Sequence, residues 1–387
     1  MTHPISTTDH ATVTIRHETV RTMLRLARAL RRLALRLARP WPDTPETAEF
    51  DPGHEAVMMG YDFHLTPQGP RLIEVNTNAG GSLMAHCAQN PGFPVGPDFP
   101  PASFDPEESH QKRLLDTFWN EMALFTGDPL TRPRRMAILD DRPGEQFLYP
   151  EMVACATLLT QAGTPCVIVD PSELEMNESG VFHQGERVEM IYNRHCDFYL
   201  ETPPLAGLKA AWLNRQICLT PNPRAYGLLA DKRHLVTWSD PVALRNLGCP
   251  PDEADFIASL VPETRFLHQV DGETIWKERN RWVFKPCQGF GGRGVLIGDK
   301  ISRSRFDSLD KSATLIQRHI PPAMIPMDDQ GTTLKSDIRL FVYRDQLLGV
   351  AARGYRGQVT NFREPGNGFL PVRILYPKIP GLPDALK

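Results

Sequence analysis

The chain has 387 residues, of which 41% are hydrophobic and 23% charged, and its formal net charge is −3. This length is enough for two or three domains with sizeable cores. The near-neutral charge argues against a nucleic-acid-binding protein, which usually carries a basic surplus. The sequence has no apolar run of transmembrane length and no signal peptide, and its seven cysteines follow neither zinc nor disulfide spacing. We therefore expect a cytoplasmic protein with reduced thiols that binds neither nucleic acid nor membranes.

The first strong element is a predicted helix over residues 17–39. Apolar residues recur at helical spacing on one side of it, and the other side carries Arg21, Arg25, Arg28, Arg32, Arg36 and Arg39. Such a helix could meet a membrane or an acidic partner. The pattern favours the simpler interpretation, in which the apolar side packs in the core and the arginines face solvent.

Two short strands are predicted next, over residues 60–65 and 71–76, separated by the turn-forming residues 66–70. If these five residues form a hairpin loop, counting back along the two strands places Asp62 directly opposite Glu74. Two carboxylates that face each other across a hairpin repel. The pairing therefore predicts that something compensates their charge.

The alternation of side chains along the second strand suggests what compensates the charge of the two carboxylates. Side chains two residues apart share a face, so Glu74 and Asn76 point the same way while Ile73 and Val75 turn towards the core. A hard divalent cation such as Mg²⁺ prefers carboxylate and amide oxygens and completes its shell with water and phosphates. The sequence thus predicts a Mg²⁺ site formed by Asp62, Glu74 and Asn76. Ser82, in the loop that follows, is a candidate substrate contact.

From residue 134 to about residue 228 the pattern alternates between strands and helices, which indicates a parallel sheet. Its first strand is not followed by a glycine fingerprint, so this sheet is not expected to bind a dinucleotide. Arg194 follows a predicted strand of this sheet, and open α/β folds bind ligands at that end of their strands. Arg194 is therefore a candidate for binding an acidic substrate. A helix is predicted over residues 229–247.

Residues 283–298, VFKPCQGFGGRGVLIG, contain the pattern G-x-G-x-x-G between two predicted strands. A dinucleotide fold needs this pattern between a strand and a helix, and a protein kinase needs its lysine on a later strand. A glycine-rich flap whose N–H groups approach phosphate, with Lys285 beside it, is favoured over a hairpin without a ligand. Cys287 is more typical of a small buried residue than of a nucleophile.

Taken together, these motifs resemble those of the ATP-grasp superfamily, in which two α+β lobes clamp ATP. The resemblance rests on the D…E-x-N group at 62–76, LADKRHL at 229–235, the flap with Lys285, LIQRHI at 315–320, DIRLFV at 337–342 and AARGYRGQVTNF at 351–362. In the usual order the metal-binding group comes last, whereas here it comes first. The layout is similar to that of eukaryotic-type glutathione synthetases and glutathionylspermidine synthetases. It implies an ATP-grasp fold, of mixed α+β and α/β type, in circularly permuted order with an inserted Rossmann-like domain.

The resemblance divides the chain into four parts. Residues 1–130 would form the first half of the C-terminal lobe, with the Mg²⁺-binding strands, and residues 131–228 the Rossmann-like substrate domain. Residues 229–313 would form the N-terminal lobe with the flap. Residues 314–387 would form the hinge and the remainder of the C-terminal lobe.

The resemblance also implies a role for each motif residue. The ATP-binding residues would be Lys232, Lys285, Gln288, Gly289, Gly291, Gly292, Gly294, Gln317, Arg318, His319, Ile320, Asp337, Thr360 and Asn361. Arg339, Arg353 and Arg356 would face the transferred phosphoryl group or the acceptor carboxylate. The sequence departs from the family at the hinge, which lacks the common acidic residue, and at Gly60, where an arginine is usual.

The chemistry that the resemblance implies is an ATP- and Mg²⁺-dependent ligation, with two Mg²⁺ ions. A carboxylate of an amino acid or peptide attacks the γ-phosphate, and an amine then displaces phosphate from the acyl phosphate, with release of ADP. Two alternatives stay open, an ATP-grasp phosphotransferase and a non-catalytic ATP-binding protein. The expected partners are small-molecule or peptide substrates, and a second copy of the chain in a homodimer is left open.

Overall fold

The computed structural model describes residues 12–88, 109–289, 291–327, 333–360, 362, 364 and 366–377. Up to residue 126 the elements are β1 (Val13–Arg16), α1 (His17–Leu37), α2 (Glu46–Glu49), β2 (Met59–Thr66), β3 (Gly69–Asn76), α3 (Ser82–Ala88) and α4 (Ser109–Thr126). The next elements are β4 (Met136–Leu139), α5 (Tyr149–Gln161), β5 (Cys166–Val169), β6 (Glu175–Asn177), β7 (Gly180–His183), β8 (Glu186–Val188), β9 (Met190–Asn193), α6 (Ala206–Leu213), β10 (Cys218–Thr220) and α7 (Pro223–Ala225).

The second half of the chain begins with a π-helix over Tyr226–Ala230. It continues with α8 (His234–Trp238), α9 (Pro241–Asn246), α10 (Pro251–Leu260), β11 (Thr264–Phe266), α11 (Gly272–Lys277), β12 (Trp282–Pro286), β13 (Leu296–Ile297) and α12 (Arg303–Asp307). The last elements are β14 (Thr314–Arg318), β15 (Ala323–Pro326), β16 (Thr333–Tyr343), β17 (Gln346–Tyr355), β18 (Gly368–Leu370) and β19 (Val372–Leu375).

Three sheets organise these elements. The largest has six strands, in the order β18-β17-β16-β2-β3 with β15 paired to β16, so it joins strands from both ends of the chain. An antiparallel sheet has the order β11-β14-β12-β13 and carries the flap lysine on β12. A parallel sheet has the order β10-β9-β4-β5, as the alternation of strands and helices predicts. Two smaller sheets pair β1 with β19 and β6, β7 and β8 in turn.

Helix α1 confirms the predicted amphipathic helix and ends two residues earlier than expected. Its buried Met23, Leu26 and Leu30 pack in one core with Tyr61 and Phe63 of β2. Burying each such side chain contributes roughly 1.5–3 kcal/mol. This core therefore fixes α1 against one face of the six-stranded sheet.

The predicted arginines of α1 are exposed, as expected, and several of them also contact other groups of the chain. Arg25 stacks over the ring of Phe256 at 4.0 Å. Arg32 pairs with Glu253 at 2.6 Å, and Arg28 donates to the Asp345 carbonyl at 2.8 Å. Much of the charge on this helix is thus used within the chain.

The hairpin of β2 and β3 pairs Asp62 with Glu74, as predicted, but by a different route. Thr66 pairs with Gly69, so the loop contains two residues instead of five. A β-bulge then shifts the register between Asp62 and Phe63 and restores the predicted pairing. Because of the bulge, Leu72 is the residue that lies in the core, and the prediction that Ile73 lies there is wrong.

The single helix predicted over residues 229–247 is also wrong, because the segment is broken into the end of the π-helix, α8 and α9. Asp231 lies between the first two and binds the Arg233 guanidinium at 2.6 Å and the Tyr199 hydroxyl at 2.9 Å. Asp240 caps α9 by accepting from the Val242 amide at 2.8 Å, with Pro241 as the first residue of that helix. Lys232 therefore lies in a turn.

Candidate active site

One face of the six-stranded sheet carries a group of charged side chains, which we call the charged face: Asp62, Glu74, Asp337, Arg339 and Arg353. Glu74 lies opposite Asp62, Asp62 opposite Arg339, and Asp337 opposite Arg353 in the strand register. Directly opposed residues in antiparallel strands project from the same face. Strands β2, β3, β16 and β17 therefore bring predicted metal ligands and predicted catalytic arginines together.

Asp62 is the centre of the charged face. Arg339 donates from Nε to Oδ1 and from Nη2 to Oδ2, each at 2.7 Å, and Arg353 Nη2 lies 2.9 Å from Oδ2. Burial alone would raise the pKa of this 1% exposed carboxyl, but the two arginines outweigh it and hold the pKa below its usual value. Two arginines thus balance the charge of Asp62, where the sequence predicts a divalent cation.

The other predicted metal ligands lie beside this ion pair. The Asn76 amide nitrogen donates to Asp62 Oδ2 at 3.1 Å and to Glu74 Oε1 at 3.3 Å. Within the described ranges, no group of three or more His, Cys, Asp and Glu side chains is arranged to hold a metal ion. The predicted site consists of the carboxylates of Asp62 and Glu74 and the amide of Asn76.

Asp337 links the arginines to the segment after β17. Its Oδ1 accepts from Arg353 Nε at 2.5 Å, and its Oδ2 accepts from the Thr360 hydroxyl. Arg356 is instead exposed, and its backbone N–H donates to Asn367 Oδ1 at 3.0 Å. The structure thus brings Asp337, Arg353 and Thr360 together and leaves the Arg356 side chain apart. Asn361 lies outside the described residues.

The two predicted phosphate-binding lysines lie near the charged face. Lys285 Nζ donates to Gln317 Oε1 at 2.6 Å and to the Ile73 carbonyl of β3 at 3.1 Å. Burial lowers the pKa of Lys285 to about 8, although the nearby Glu74 carboxylate opposes the shift. Lys232 Nζ donates to the Gly289 carbonyl of the flap at 2.5 Å. Both lysines therefore bind backbone carbonyls, Lys285 that of Ile73 in the neighbouring sheet and Lys232 that of Gly289 in the flap.

The flap needs its glycines for conformation. Gly291 and Gly292 have φ of +59° and +71°, which L side chains rarely adopt. A Cβ on Gly292 would lie 2.9 Å from Val359 Cγ2, so the flap closely approaches the segment after β17. Gly289 and Gly294 also have positive φ, and Gln288 is exposed. Burial raises the pKa of Cys287 to about 11, which suits a space-filling role better than a nucleophile.

The predicted hinge, residues 317–320, begins in the last two residues of β14 and continues beyond it. Its backbone is held by two bonds, from the Arg318 N–H to the Glu263 carbonyl at 2.7 Å and from the His319 N–H to the Arg281 carbonyl at 2.8 Å. The Ile320 carbonyl lies 2.6 Å from Nδ1 of His64 on β2. Burial lowers the pKa of His64, although the nearby Asp337 carboxylate opposes the shift.

Arg194 lies at the C-terminal end of β9 and is buried. Its Nη1 donates to the Tyr192 hydroxyl at 3.1 Å and lies 3.7 Å from Glu151 Oε2. Three buried polar atoms in this region have no hydrogen-bond partner among the described residues: Arg194 Nε, Ser82 Oγ and Asn78 Oδ1. Arg194 and Ser82 line the same small cavity. Buried polar atoms without partners are rare in native proteins and indicate a place for water or a ligand.

The loop between β3 and α3 connects this cavity to the charged face. Glu151 of α5 accepts from the Gly81 N–H at 2.6 Å and from the Leu83 N–H at 3.1 Å. The Asn78 side chain donates to the Arg194 carbonyl, and Arg339 Nη1 lies 3.5 Å from the Gly80 carbonyl. No local sequence pattern singles out Glu151, so its contacts with the Gly81 and Leu83 amides were not predicted.

The comparisons with known proteins give relatives by structure. No protein-family model and no curated protein matches the chain. A glutathione synthetase-like effector from Globodera pallida, in its apo form, matches with a TM-score of 0.56 and 10% identity over 95% of this chain and 89% of that one. A putative gamma-glutamylcysteine synthetase from Methylobacillus flagellatus matches with a TM-score of 0.51 and 11% identity over 96% of this chain and 89% of that one. The chain therefore shares the overall fold of these two structures.

Proposed function

We propose that the protein is an ATP- and Mg²⁺-dependent ligase that joins a carboxylate to an amine. One observation carries the proposal: Lys285 of the flap sheet reaches the Ile73 carbonyl of β3, beside Glu74, although these residues are about 210 positions apart. The predicted phosphate-binding lysine and the predicted metal ligands, from distant parts of the sequence, thereby lie close together. A binding protein for an uncharged ligand has no need of this combination.

The residues present fit a nucleotide phosphate chain. A buried lysine with a lowered pKa is stabilised when an anion comes next to it, and the flap can supply N–H groups to phosphate oxygens. Glu74 and Asn76 offer the hard oxygen ligands that Mg²⁺ prefers. Both oxygens of Asp62 are bound by arginines, so Asp62 would join the metal shell when Arg339 and Arg353 turn to the phosphates. Mg²⁺ bound there would neutralise charge on the phosphates.

The proposed reaction has two steps. A substrate carboxylate oxygen bonds to the γ-phosphorus and the bond from that phosphorus to the ADP oxygen breaks, which gives an acyl phosphate and ADP. The amine nitrogen then bonds to the acyl carbon, phosphate leaves, and the nitrogen loses a proton. Lys232, Lys285 and Arg353 would stabilise the phosphoryl charge, so the chain contributes positioning and electrostatics.

The acceptor carboxylate is assigned to the cavity beside the parallel sheet. Arg194 Nε and the Ser82 hydroxyl line this cavity and can both donate hydrogen bonds, and Asn78, whose side chain donates to the Arg194 carbonyl, can accept one at Oδ1. The cavity has room for about one water molecule, so the head of an amino acid or peptide would have to widen it to satisfy these groups. We propose that the parallel sheet, within residues 131–228, is the Rossmann-like substrate domain.

We further propose that the ATP-grasp order is circularly permuted. Strand β2, which carries Asp62, pairs directly with β16 near the other end of the chain, and β3, which carries Glu74 and Asn76, pairs with β2. Residues 1–130 and 314–387 would thus build one lobe and residues 229–313 the other.

No helix in the described part of the chain is long and apolar enough to cross a membrane. We propose a cytoplasmic enzyme.

A product assay tests the function. The protein would be incubated with ATP, Mg²⁺ and pairs drawn from amino acids, peptides and polyamines, and ADP release would be measured. We expect release that requires both a carboxylate and an amine, and its loss in Glu74→Ala. Release with one acceptor and a stable phosphorylated product would indicate a phosphotransferase. AMP as the product would contradict the proposal.

The lowered pKa of Lys285 makes nucleotide affinity depend on pH. Below pH 8 the free protein carries a charged Lys285, whereas above pH 8 a neutral Lys285 must take up a proton when an anion binds. ADP affinity should therefore fall by up to about 10-fold per pH unit above pH 8. Calorimetry in buffers of different ionisation enthalpy would show the proton uptake. Lys285→Arg, which stays charged, should lose this dependence, and equal pH profiles for the two proteins would contradict the assignment.

Asp62 and Glu74 should differ in their effect on stability. Asp62→Asn removes the carboxylate that binds the buried Arg339 and leaves Arg353 with Asp337, and it should lower the free energy of unfolding by about 3–5 kcal/mol. Glu74→Gln changes a less buried residue and should cost less than about 1 kcal/mol. Urea denaturation at pH 7 measures both variants. Equal losses would show that Asp62 is not the anchor of the arginines.

A further inference from the structure

His64 is placed where the charged face meets the hinge. It lies two residues after Asp62 on β2, so its side chain projects from the same face of the sheet. Its Nδ1 lies 2.6 Å from the Ile320 carbonyl. A carbonyl oxygen can only accept, so Nδ1 carries the proton, and in the neutral ring Nε2 is then a hydrogen-bond acceptor.

The neighbouring acceptors are already engaged. Gln317 Oε1 accepts from Lys285 at 2.6 Å. The Asp337 carboxylate accepts from Arg353 and Thr360. Residues 317–320 contain no carboxylate in the sequence. The Nε2 atom of His64 thus supplies a neutral acceptor at a hinge that has no acidic side chain.

We propose that His64 is a specificity-determining residue of the nucleotide pocket, in which Nε2 accepts a hydrogen bond from the nucleoside. Two groups of an adenine nucleotide can donate it, the exocyclic amino group of the base and a ribose hydroxyl. The inference rests on the proposed function, because it takes the cleft between the sheets as the nucleotide site. It adds a recognition residue that the ATP-grasp motifs do not include.

The two donors predict different selectivity. If the base donates, inosine nucleotides, which carry a carbonyl oxygen in place of the amino group, place two acceptors against each other and bind more weakly. If the ribose donates, a deoxynucleotide leaves Nε2 without its partner. Loss of one such buried hydrogen bond lowers affinity by about 10-fold.

The test is calorimetric titration of ADP, IDP, 2′-deoxy-ADP and 3′-deoxy-ADP into the full chain and three variants. Wild type should bind ADP about 10-fold more tightly than one of the three analogues. His64→Leu should lose this preference, because ADP loses its hydrogen bond to Nε2 while the analogue has no such bond to lose. The analogue concerned identifies the donor.

Two amide variants separate recognition from a role in holding the hinge. In His64→Asn the amide nitrogen can stand near the Nδ1 position, so the bond to the Ile320 carbonyl is kept and the preference is lost. In His64→Gln the amide oxygen can stand near the Nε2 position, so part of the preference returns. Tripolyphosphate, which has no nucleoside, should bind wild type and His64→Leu equally.

Two results would overturn the inference alone: His64→Leu that keeps the wild-type preference, and His64→Leu that weakens ADP, all analogues and tripolyphosphate to the same extent. The second result would make His64 a structural residue. A wild-type protein that binds none of these nucleotides would instead overturn the proposed function, and this inference with it.

Discussion

The carboxylate of Asp62 holds the arginines of β16 and β17 against a strand from the beginning of the chain. Arg339 and Asp62 are 277 positions apart, and their paired hydrogen bonds lie within the ladder that joins β2 to β16. A buried ion pair of this kind contributes little net stability but is costly to break from one side. Its effect is therefore to fix one arrangement of the charged face, on which the positions of Glu74, Asn76 and Asp337 depend.

The same arrangement extends into the neighbouring sheets. Lys285 connects the flap sheet to β3, and the loop after β3 is held by Glu151 and by the carbonyl of Arg194 from the parallel-sheet side. A ligand that changes the partners of Arg194 would act on the loop that begins at the proposed metal ligands. The chain thus has a physical connection between the proposed acceptor cavity and the proposed metal site, made of hydrogen bonds to one short backbone segment.

Local pattern was enough to predict the elements that carry the site, and less able to predict their partners. The pairing of Asp62 with Glu74 follows from alternation, yet it is reached through a shorter loop and a bulge whose effects on the register cancel. The turn at Lys232 depends on Asp231 meeting Arg233 and Tyr199, and a helical pattern does not contain that contact. The arginine partners of Asp62 come from the far end of the chain, so a cation was the nearest compensation that the sequence offered.

The contacts of His64 and Glu151 could not be predicted from local sequence pattern either. His64 shares a strand face with Asp62, so alternation alone places it near the cleft, but its bond to Ile320 joins residues 256 positions apart. Glu151 lies in an ordinary helical pattern, and its contacts with the Gly81 and Leu83 amides become visible only in the folded chain. Residues that act through long-range backbone contacts leave no periodic signal.

Binding of a non-hydrolysable ATP analogue, measured by calorimetry with and without Mg²⁺, tests the proposed nucleotide and metal site without any knowledge of the substrates. We expect one bound analogue per chain and an affinity that Mg²⁺ raises by about 10-fold or more, since the cation balances both the phosphates and the Glu74 carboxylate. If the protein bound no analogue, or bound it equally well without Mg²⁺, the proposed site would be wrong.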